Sequence, residues 1–292
     1  MAIRCVGLVV SALLWLNLAG APAAQQDRPL PDAPSFLKQA RAHLRMDRTV
    51  LSQYTYLERR REIRLTKLGK VELGNQQVLQ VYPGLDPADT YRRLIEVDGK
   101  PRDPRALEED DRKHQKRVLD TLRKREQESA ADRLRREQHA AKDKQEDEDT
   151  LDDLMRVFNF TLVERQVREG RPMIVVAFTP RPDAAPKTDD GKTMKKVRGR
   201  AWVSELDYEV ARVEFETLQD ISLGVILGKL YKGTTASVER RKVNDEVWLP
   251  AEVRFNGSGR ALVRKFQVDS VVQYSDYKKF SVATDTAFKL PK

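Results

Sequence analysis

Side chains that could do chemistry are present in this chain, but their spacing does not assemble a reactive centre. The three histidines, His43, His114 and His139, fall well apart in predicted helices, and no His and carboxylate cluster has the spacing of a metal site. Gly-x-Ser-x-Gly, a glycine-rich phosphate loop and His-Glu-x-x-His do not occur. We therefore expect no catalytic residue, no metal, no cofactor and no enzyme activity. Abundant carboxylates leave a hydrolase of envelope polymers, with a glycosidase-like pair, as a less favoured alternative.

The N-terminus has the pattern of a secretory signal peptide. Arg4 precedes an apolar stretch over residues 6–18, and Ala21-Pro22-Ala23 supplies small residues at the spacing that signal peptidase cleaves. The stretch is short for a membrane span, although a retained N-terminal anchor is the alternative. We expect a signal peptide at residues 1–23, a linker at residues 24–33 and a periplasmic location.

Cysteine usage and charge restrict the partners of the exported chain. Cys5 is the only cysteine and stands at the start of the apolar stretch, so the pattern is not a lipobox and the cleaved chain has no thiol. The net charge is +9. In an exported protein this charge favours anionic membrane surfaces, cell-wall polymers or an acidic partner over nucleic acid.

Most of the remaining chain alternates like antiparallel strands. After a helix predicted over residues 34–52, about ten strands follow, with turns at Asp98-Gly99, Glu169-Gly170, Asn244-Asp245 and Gly257-Ser258-Gly259. Apolar Val213 and Phe215 alternate with charged neighbours, and residues 247–255 do the same. One face of the sheet is therefore predicted to be apolar and the other charged.

A charged segment interrupts the strands. Between residues 108 and 149, 26 of 42 residues are charged, and neither Pro nor Gly occurs. Acidic residues precede basic ones by four positions, which favours a solvated helix. We predict a helical insertion over residues 104–156, as one long helix or a helical hairpin.

The order of these elements resembles the LolA/LolB-like family of lipoprotein-sorting proteins, which includes the sensor domain of the sigma-E regulator RseB. The stretches that carry the resemblance are Val97-Asp98-Gly99-Lys100, residues 199–203 with 206–214, residues 249–253 and residues 274–280. It covers residues 34–100 and 157–281, and the insertion departs from the compact carriers. The resemblance implies an α+β, mainly antiparallel β fold. That fold is a LolA-like half-barrel of about ten long strands with a short N-terminal helix, in a single domain over residues 34–292.

A half-barrel of this kind predicts a cavity for a hydrophobic ligand, closed by a flap in the apolar segment at residues 221–231. The predicted cavity and flap residues are Tyr82, Phe178, Trp202, Val213, Phe215, Leu223, Val225, Ile226, Leu227 and Leu230. Each of these is also a candidate for ordinary core packing. Arg92 and Arg93 are the candidates for a polar rim. Arg59-Arg60-Arg61 could attract lipid headgroups or simply protect a sheet edge.

Two main functions follow from these expectations. The first is a periplasmic carrier, related to lipoprotein sorting, that binds a lipid or the acyl chains of a lipoprotein. The alternative is a regulatory or scaffold module of the envelope, with a filled core and a charged helix at residues 108–149 that binds an envelope protein. Peripheral contact with a membrane is compatible with both.

Overall fold

The helices of the chain are short at the N-terminus and long in the charged insertion. A computed structural model describes residues 28–66, 70–84, 89–222 and 228–279. The predicted signal peptide (residues 1–23) and residues 223–227 of the predicted flap therefore lie outside the described residues. The helices are α1 (Ala33–His43), α2 (Asp47–Leu51), α3 (Pro104–Glu126), α4 (Ala130–Val157) and α5 (Asp189–Met194). None of the helices that the structure describes is long and apolar enough to cross a membrane.

Thirteen antiparallel strands within the described ranges form one open sheet. Their bounds are β1 (Tyr54–Leu65), β2 (Val71–Tyr82), β3 (Tyr91–Val97), β4 (Lys100–Pro101), β5 (Phe158–Arg168), β6 (Arg171–Pro180), β7 (Val197–Ser204), β8 (Val210–Thr217), β9 (Ile221–Ser222), β10 (Lys229–Leu230), β11 (Thr235–Val243), β12 (Val247–Ala261) and β13 (Arg264–Lys279). The strand order is β4-β3-β2-β1-β13-β12-β11-β8-β7-β6-β5, with β10 on β12 and β9 on β10. Because β4 and β5 end this order without pairing to each other, the sheet of these strands is open. The predicted fold class, a mainly antiparallel half-barrel, is confirmed.

Two-residue turns join several hairpins where the sequence predicts them. Asp98 and Gly99 have φ of 50° and 76°, Glu169 and Gly170 have 48° and 75°, and Asn244 and Asp245 have 52° and 54°. Left-handed backbone at both central residues is typical of the turn whose twist matches paired strands. The turn predicted at Gly257-Ser258-Gly259 is wrong, because β12 continues to Ala261.

The glycines of β12 serve close packing instead of a turn. A Cβ on Gly259 would lie 2.2 Å from the carbonyl oxygen of Lys229 in β10 and 2.8 Å from the Phe266 ring. Glycine is therefore required where β10 approaches β12. The chain reverses at Leu262, with φ of 52°.

The single helix predicted over residues 34–52 is also wrong in its extent. Asp32 caps the start of α1, since its Oδ2 accepts from the Ser35 N–H at 3.0 Å. The helix ends at His43, and Leu44 is extended. The guanidinium of Arg45 donates to the carbonyls of Ala42 and Leu44, both at 2.7 Å. It thereby satisfies terminal carbonyl groups that a continuous helix would have bonded internally.

The insertion forms two helices, which we call the arm (residues 104–157). Ser129 caps α4 by accepting from the Asp132 N–H at 3.1 Å, and Gln127 ends α3. Residues 130–146 of α4 are exposed on every side. The arm is thus two consecutive helices and not the one long helix that is the first of the two predicted forms, and residues 130–146 are in solvent.

Buried polar contacts attach the arm to the sheet at Asp111. Its carboxylate accepts from the Tyr91 hydroxyl at 2.9 Å and from two nitrogens of Arg93 at 2.8 Å each. One turn further along, the His114 ring stacks on Tyr91 with 4.0 Å between centroids. Burial and the Asp111 carboxylate raise the pKa of Tyr91, so the phenol stays a hydrogen-bond donor. Burial lowers the pKa of His114, which favours the neutral ring.

Asp111→Ala is expected to loosen α3 from β3. The change leaves a partly buried guanidinium and a phenol without their acceptor, which costs about 2 kcal/mol. Hydrogen exchange of the α3 amides should become about thirtyfold faster, while amides of β6 and β7 keep their protection. Asp110→Ala is the matched control, because Asp110 pairs with Arg102 in a more exposed position. Equal effects of the two variants would contradict this role of Asp111.

Candidate ligand-binding face

The register of the sheet places a row of apolar side chains across seven strands. Leu162 pairs with Val176, Val176 with Ala201, and Ala201 with Val213. The row continues through Val238, Val253 and Val272 and ends at Arg60. Directly opposite residues of antiparallel strands point to the same side of a sheet. These pairs therefore define one apolar face, as the alternation of the sequence predicts.

A second row on this face alternates large and small side chains. Phe178 pairs with Gly199, Gly199 with Phe215, and Phe215 with Ala236. Ala236 then pairs with Phe255, and Phe255 with Ser270. A Cβ on Gly199 would lie 2.5 Å from the end of the Phe178 ring, so that ring lies over the glycine.

Helices cover one end of the apolar face. Phe36 and Ala40 of α1 pack on Ile174, Val176, Val203 and Val210. The end of α4 and α5 contribute Leu154, Val157 and Met194 to a second cluster around Phe158, Phe178 and Ile221. This end is core, as burial of Val157 and Ile174 at 0% exposure indicates.

The opposite end of the same face is covered by α2. Leu51 packs with Tyr56, Leu79, Val81 and Tyr274 on strands β1, β2 and β13. The apolar face is therefore covered at one end by α1, α4 and α5 and at the other by α2, which contacts β12 as well as β1.

Between these two covered ends, the apolar face is only half-buried. The residues of this central strip are Val213, Phe215, Ala236, Val238, Val253, Phe255 and Val272. Each belongs to one of the two rows, and each keeps part of its surface accessible to solvent. An apolar surface that is continuous across four strands and only partly covered can accept an apolar ligand.

A cationic group borders the strip where it meets β1. Arg60, next to Val272 in the row, pairs with Glu58 at 3.0 Å, and Arg92 approaches Glu58 at 3.6 Å. Glu58 is 4% exposed, whereas the two arginine side chains are 38% and 46% exposed. Two guanidinium groups thus share one carboxylate. Because both arginine side chains are partly exposed, their outer nitrogens leave donors for an anionic group at the end of the strip.

The structure brings together some predicted cavity residues and separates others. Val213 and Phe215 lie at the edge of the central strip, where they pack against the covered cluster that contains Phe178 and also receives Leu230. Arg92 lies at the cationic border. Arg93 points to the other face, where it binds Asp111.

The remaining predicted residues lie away from the strip or outside the described part of the chain. Tyr82 stacks on Tyr91 at 6.1 Å near the arm. Trp202 is on the other face, in a buried apolar cluster with Met173, Val175, Ala211 and Trp248, so the prediction that this face is only charged is wrong there. The Nε1 of Trp202 donates to Gln166, and Arg168 and Arg212 lie over its ring. Leu223, Val225, Ile226 and Leu227 are outside the described residues.

The charged face of the sheet holds a hollow of about 740 Å³. It is bordered by Arg198, Arg200, Arg212, Arg254, Glu214, Glu216, Asn256 and Asp269, among others. Arg198 pairs with Glu216, Arg212 with Glu214, and Arg254 with Glu252. Mixed charges that neutralise one another across strands favour a solvated surface, so we assign the ligand site to the apolar face. Over the described ranges, no three His, Cys, Asp or Glu side chains converge as a metal site would require.

Solved structures similar to this chain were found, whereas no protein-family model and no curated protein matches it. A LolA superfamily protein from Nitrosomonas europaea is 10% identical over 87% of this chain and 96% of its own, with a TM-score of 0.29. A protein from Vibrio parahaemolyticus, described as an outer membrane lipoprotein-sorting protein domain, is 9% identical over 85% and 92%, with a TM-score of 0.30.

A chain of the MucA/MucB complex of Pseudomonas aeruginosa is 11% identical over 86% of this chain and 100% of its own, with a TM-score of 0.21. The first two of these structures are of the family that the sequence resembles. At such TM-scores residue positions do not transfer, and the central strip is assigned from the geometry of this chain alone.

Proposed function

We propose that this chain is a non-enzymatic periplasmic carrier that binds an acyl chain along the central strip. The observation that supports it is a half-buried apolar surface bordered by Arg60 and Arg92. An acyl chain would lie across Val213, Val238 and Val253, and its anionic end would meet the two guanidinium groups. The ligand class is therefore an amphipathic lipid with a negative headgroup or carboxylate.

Magnitudes are compatible with reversible binding. Each buried methylene contributes about 0.8 kcal/mol, so about ten of them contribute about 8 kcal/mol. Ordering the lipid and the protein side chains reduces this favourable binding free energy by several kcal/mol. Charge-assisted hydrogen bonds to arginine add about 1.5–3 kcal/mol. The result is an affinity on the order of micromolar, which suits a carrier that must release its cargo.

Mass spectrometry of organic extracts tests this function on the protein purified from a Gram-negative periplasm. We expect lipids with acyl chains in the extract, and a fluorescent fatty acid should bind the delipidated protein and be displaced by unlabelled oleate. A protein that is reproducibly empty and does not bind the fatty acid would contradict the proposal. That result would favour the regulatory or scaffold module, in which the strip is only core. Recovery of the chain in the periplasmic fraction, without residues 1–23, would test its export.

A further inference from the structure

The outer part of the arm has a composition unlike the rest of the insertion. We call residues 112–136 the basic tip, which consists of the last part of α3, the connection and the first turns of α4. It has ten Lys and Arg residues against four Asp and Glu. Closer to the sheet, residues 143–152 of α4 contain six acidic residues and one lysine. The arm therefore separates its charges along its length.

Half of the cations in the basic tip make no ion pair with a described residue. These are Arg112, Lys116, Arg117, Lys124 and Arg133. All five side chains belong to exposed residues. Internal pairing therefore does not account for them, in contrast with the paired charges of the sheet.

Large apolar side chains accompany these cations. Leu119, Leu122 and Leu134 are 47%, 39% and 55% exposed, and all three lie within the basic tip. At 3.6 residues per turn, Arg112, Lys116, Leu119 and Arg123 fall within one stripe of α3. The buried Asp111 and the stacked His114 lie on a different side of the helix, toward β3. The stripe therefore points away from the sheet.

We propose that the basic tip binds the surface of a bilayer that contains anionic phospholipids. Exposed cations are attracted by anionic headgroups, and leucines that flank them insert into the boundary between headgroups and acyl chains. The acidic part of α4 is repelled by the same surface, so the arm contacts it with the tip only. The proposal does not depend on a lipid in the central strip, because the two surfaces share no residue.

Vesicle sedimentation with the full chain tests the proposal. At low ionic strength, the protein should sediment with phosphatidylcholine vesicles that contain phosphatidylglycerol and remain in solution with phosphatidylcholine alone. Neutralising Arg112, Lys116 and Arg123, the three cations of the stripe, together by glutamine should weaken binding about a hundredfold, since each charge near the surface contributes about fivefold. Replacing the three leucines by glutamine should weaken it about tenfold, and about 0.5 M salt should abolish it.

Matched control variants distinguish the basic tip from the rest of the arm and from the central strip. Lys142→Gln with Lys144→Gln removes two charges from the same arm outside the tip and should change binding less than about twofold. The helix content of each variant, measured by circular dichroism, checks that the helices of the arm remain folded. Val238→Glu, which alters the central strip, should leave vesicle binding unchanged.

Three results would overturn the proposal. The first is absence of binding to anionic vesicles, and the second is equal binding by the triple-glutamine variant and the natural chain. Tight binding of an acidic polypeptide that is insensitive to the leucine changes would overturn it in favour of a protein partner.

Discussion

Asp153→Ala is expected to lower the free energy of unfolding by about 3–5 kcal/mol. Asp153 is 0% exposed at the base of α4. Its carboxylate accepts from the backbone N–H groups of Lys187 and Thr188, at 2.9 Å and 2.8 Å, and from the Thr188 hydroxyl at 2.8 Å. It also pairs with Arg156. Removing the carboxylate leaves these part-buried donors without their acceptor, and a donor left without an acceptor costs more free energy than the lost hydrogen bond alone.

Close packing around Asp153 leaves little space for other groups to move in and replace the lost hydrogen bonds. A Cβ on Gly191 would lie 2.2 Å from Oδ2 of Asp153, so the first turn of α5 is packed directly on this carboxylate. Denaturant unfolding measures the change. Asp152→Ala is the matched control, because Asp152 pairs with Arg41 at the surface and should cost at most about 1 kcal/mol. Similar losses in both variants would contradict a special role for Asp153.

The same network predicts a dependence on pH. Burial raises the pKa of Asp153, but hydrogen bonds from Lys187, Thr188 and Arg156 outweigh burial and hold it below its ordinary value. The unfolded chain therefore takes up a proton at a higher pH than the folded one. The stability from this group is present above about pH 3.9 and is lost as the pH falls toward the folded pKa. Between these values, Asp153→Asn should show a weaker loss of stability with falling pH than the natural chain.

Features set by neighbouring residues can be predicted from the sequence. The alternation along β8 and β12 gives the two faces of the sheet, and Asp98-Gly99 and Asn244-Asp245 give their turns. The alternation along β7 also places Trp202 on the side opposite Ala201. Trp202 is large and aromatic, as a cavity residue often is, but this alternation places it on the face without the central strip. Glycines in a sequence can indicate either a turn or close packing. Gly257 and Gly259 have the pattern of a turn, but they lie within β12, where the lack of a side chain lets neighbouring chain approach closely.

Features set by distant residues cannot be predicted from one sequence. β1, the first strand in the sequence, pairs with β13, the last one. The register of this pair places Arg60 beside Val272. Nothing in the local pattern distinguishes Arg60 from Arg59 and Arg61, or Arg92 from Arg93. The half-burial of the central strip depends on where α1 and α2 stop, which is a matter of tertiary packing.

Val238→Glu is expected to weaken binding of a fatty acid at least about thirtyfold. Val238 lies in the middle of the central strip, between Val213 and Val253. A carboxylate there must be desolvated against the acyl chain, and it also repels the anionic end of the ligand, which together cost about 2 kcal/mol or more. Displacement of a fluorescent fatty acid measures the change.

Ser237→Glu supplies the matched control on the adjacent residue of the same strand. Ser237 lies on the charged face, opposite Arg254 on one neighbouring strand and Glu214 on the other. A carboxylate at this position has water and a guanidinium beside it, so binding of the fatty acid should change less than about twofold. Thermal unfolding of both variants separates loss of the site from loss of the fold. If the two glutamates weaken binding equally, the ligand does not lie on the apolar face.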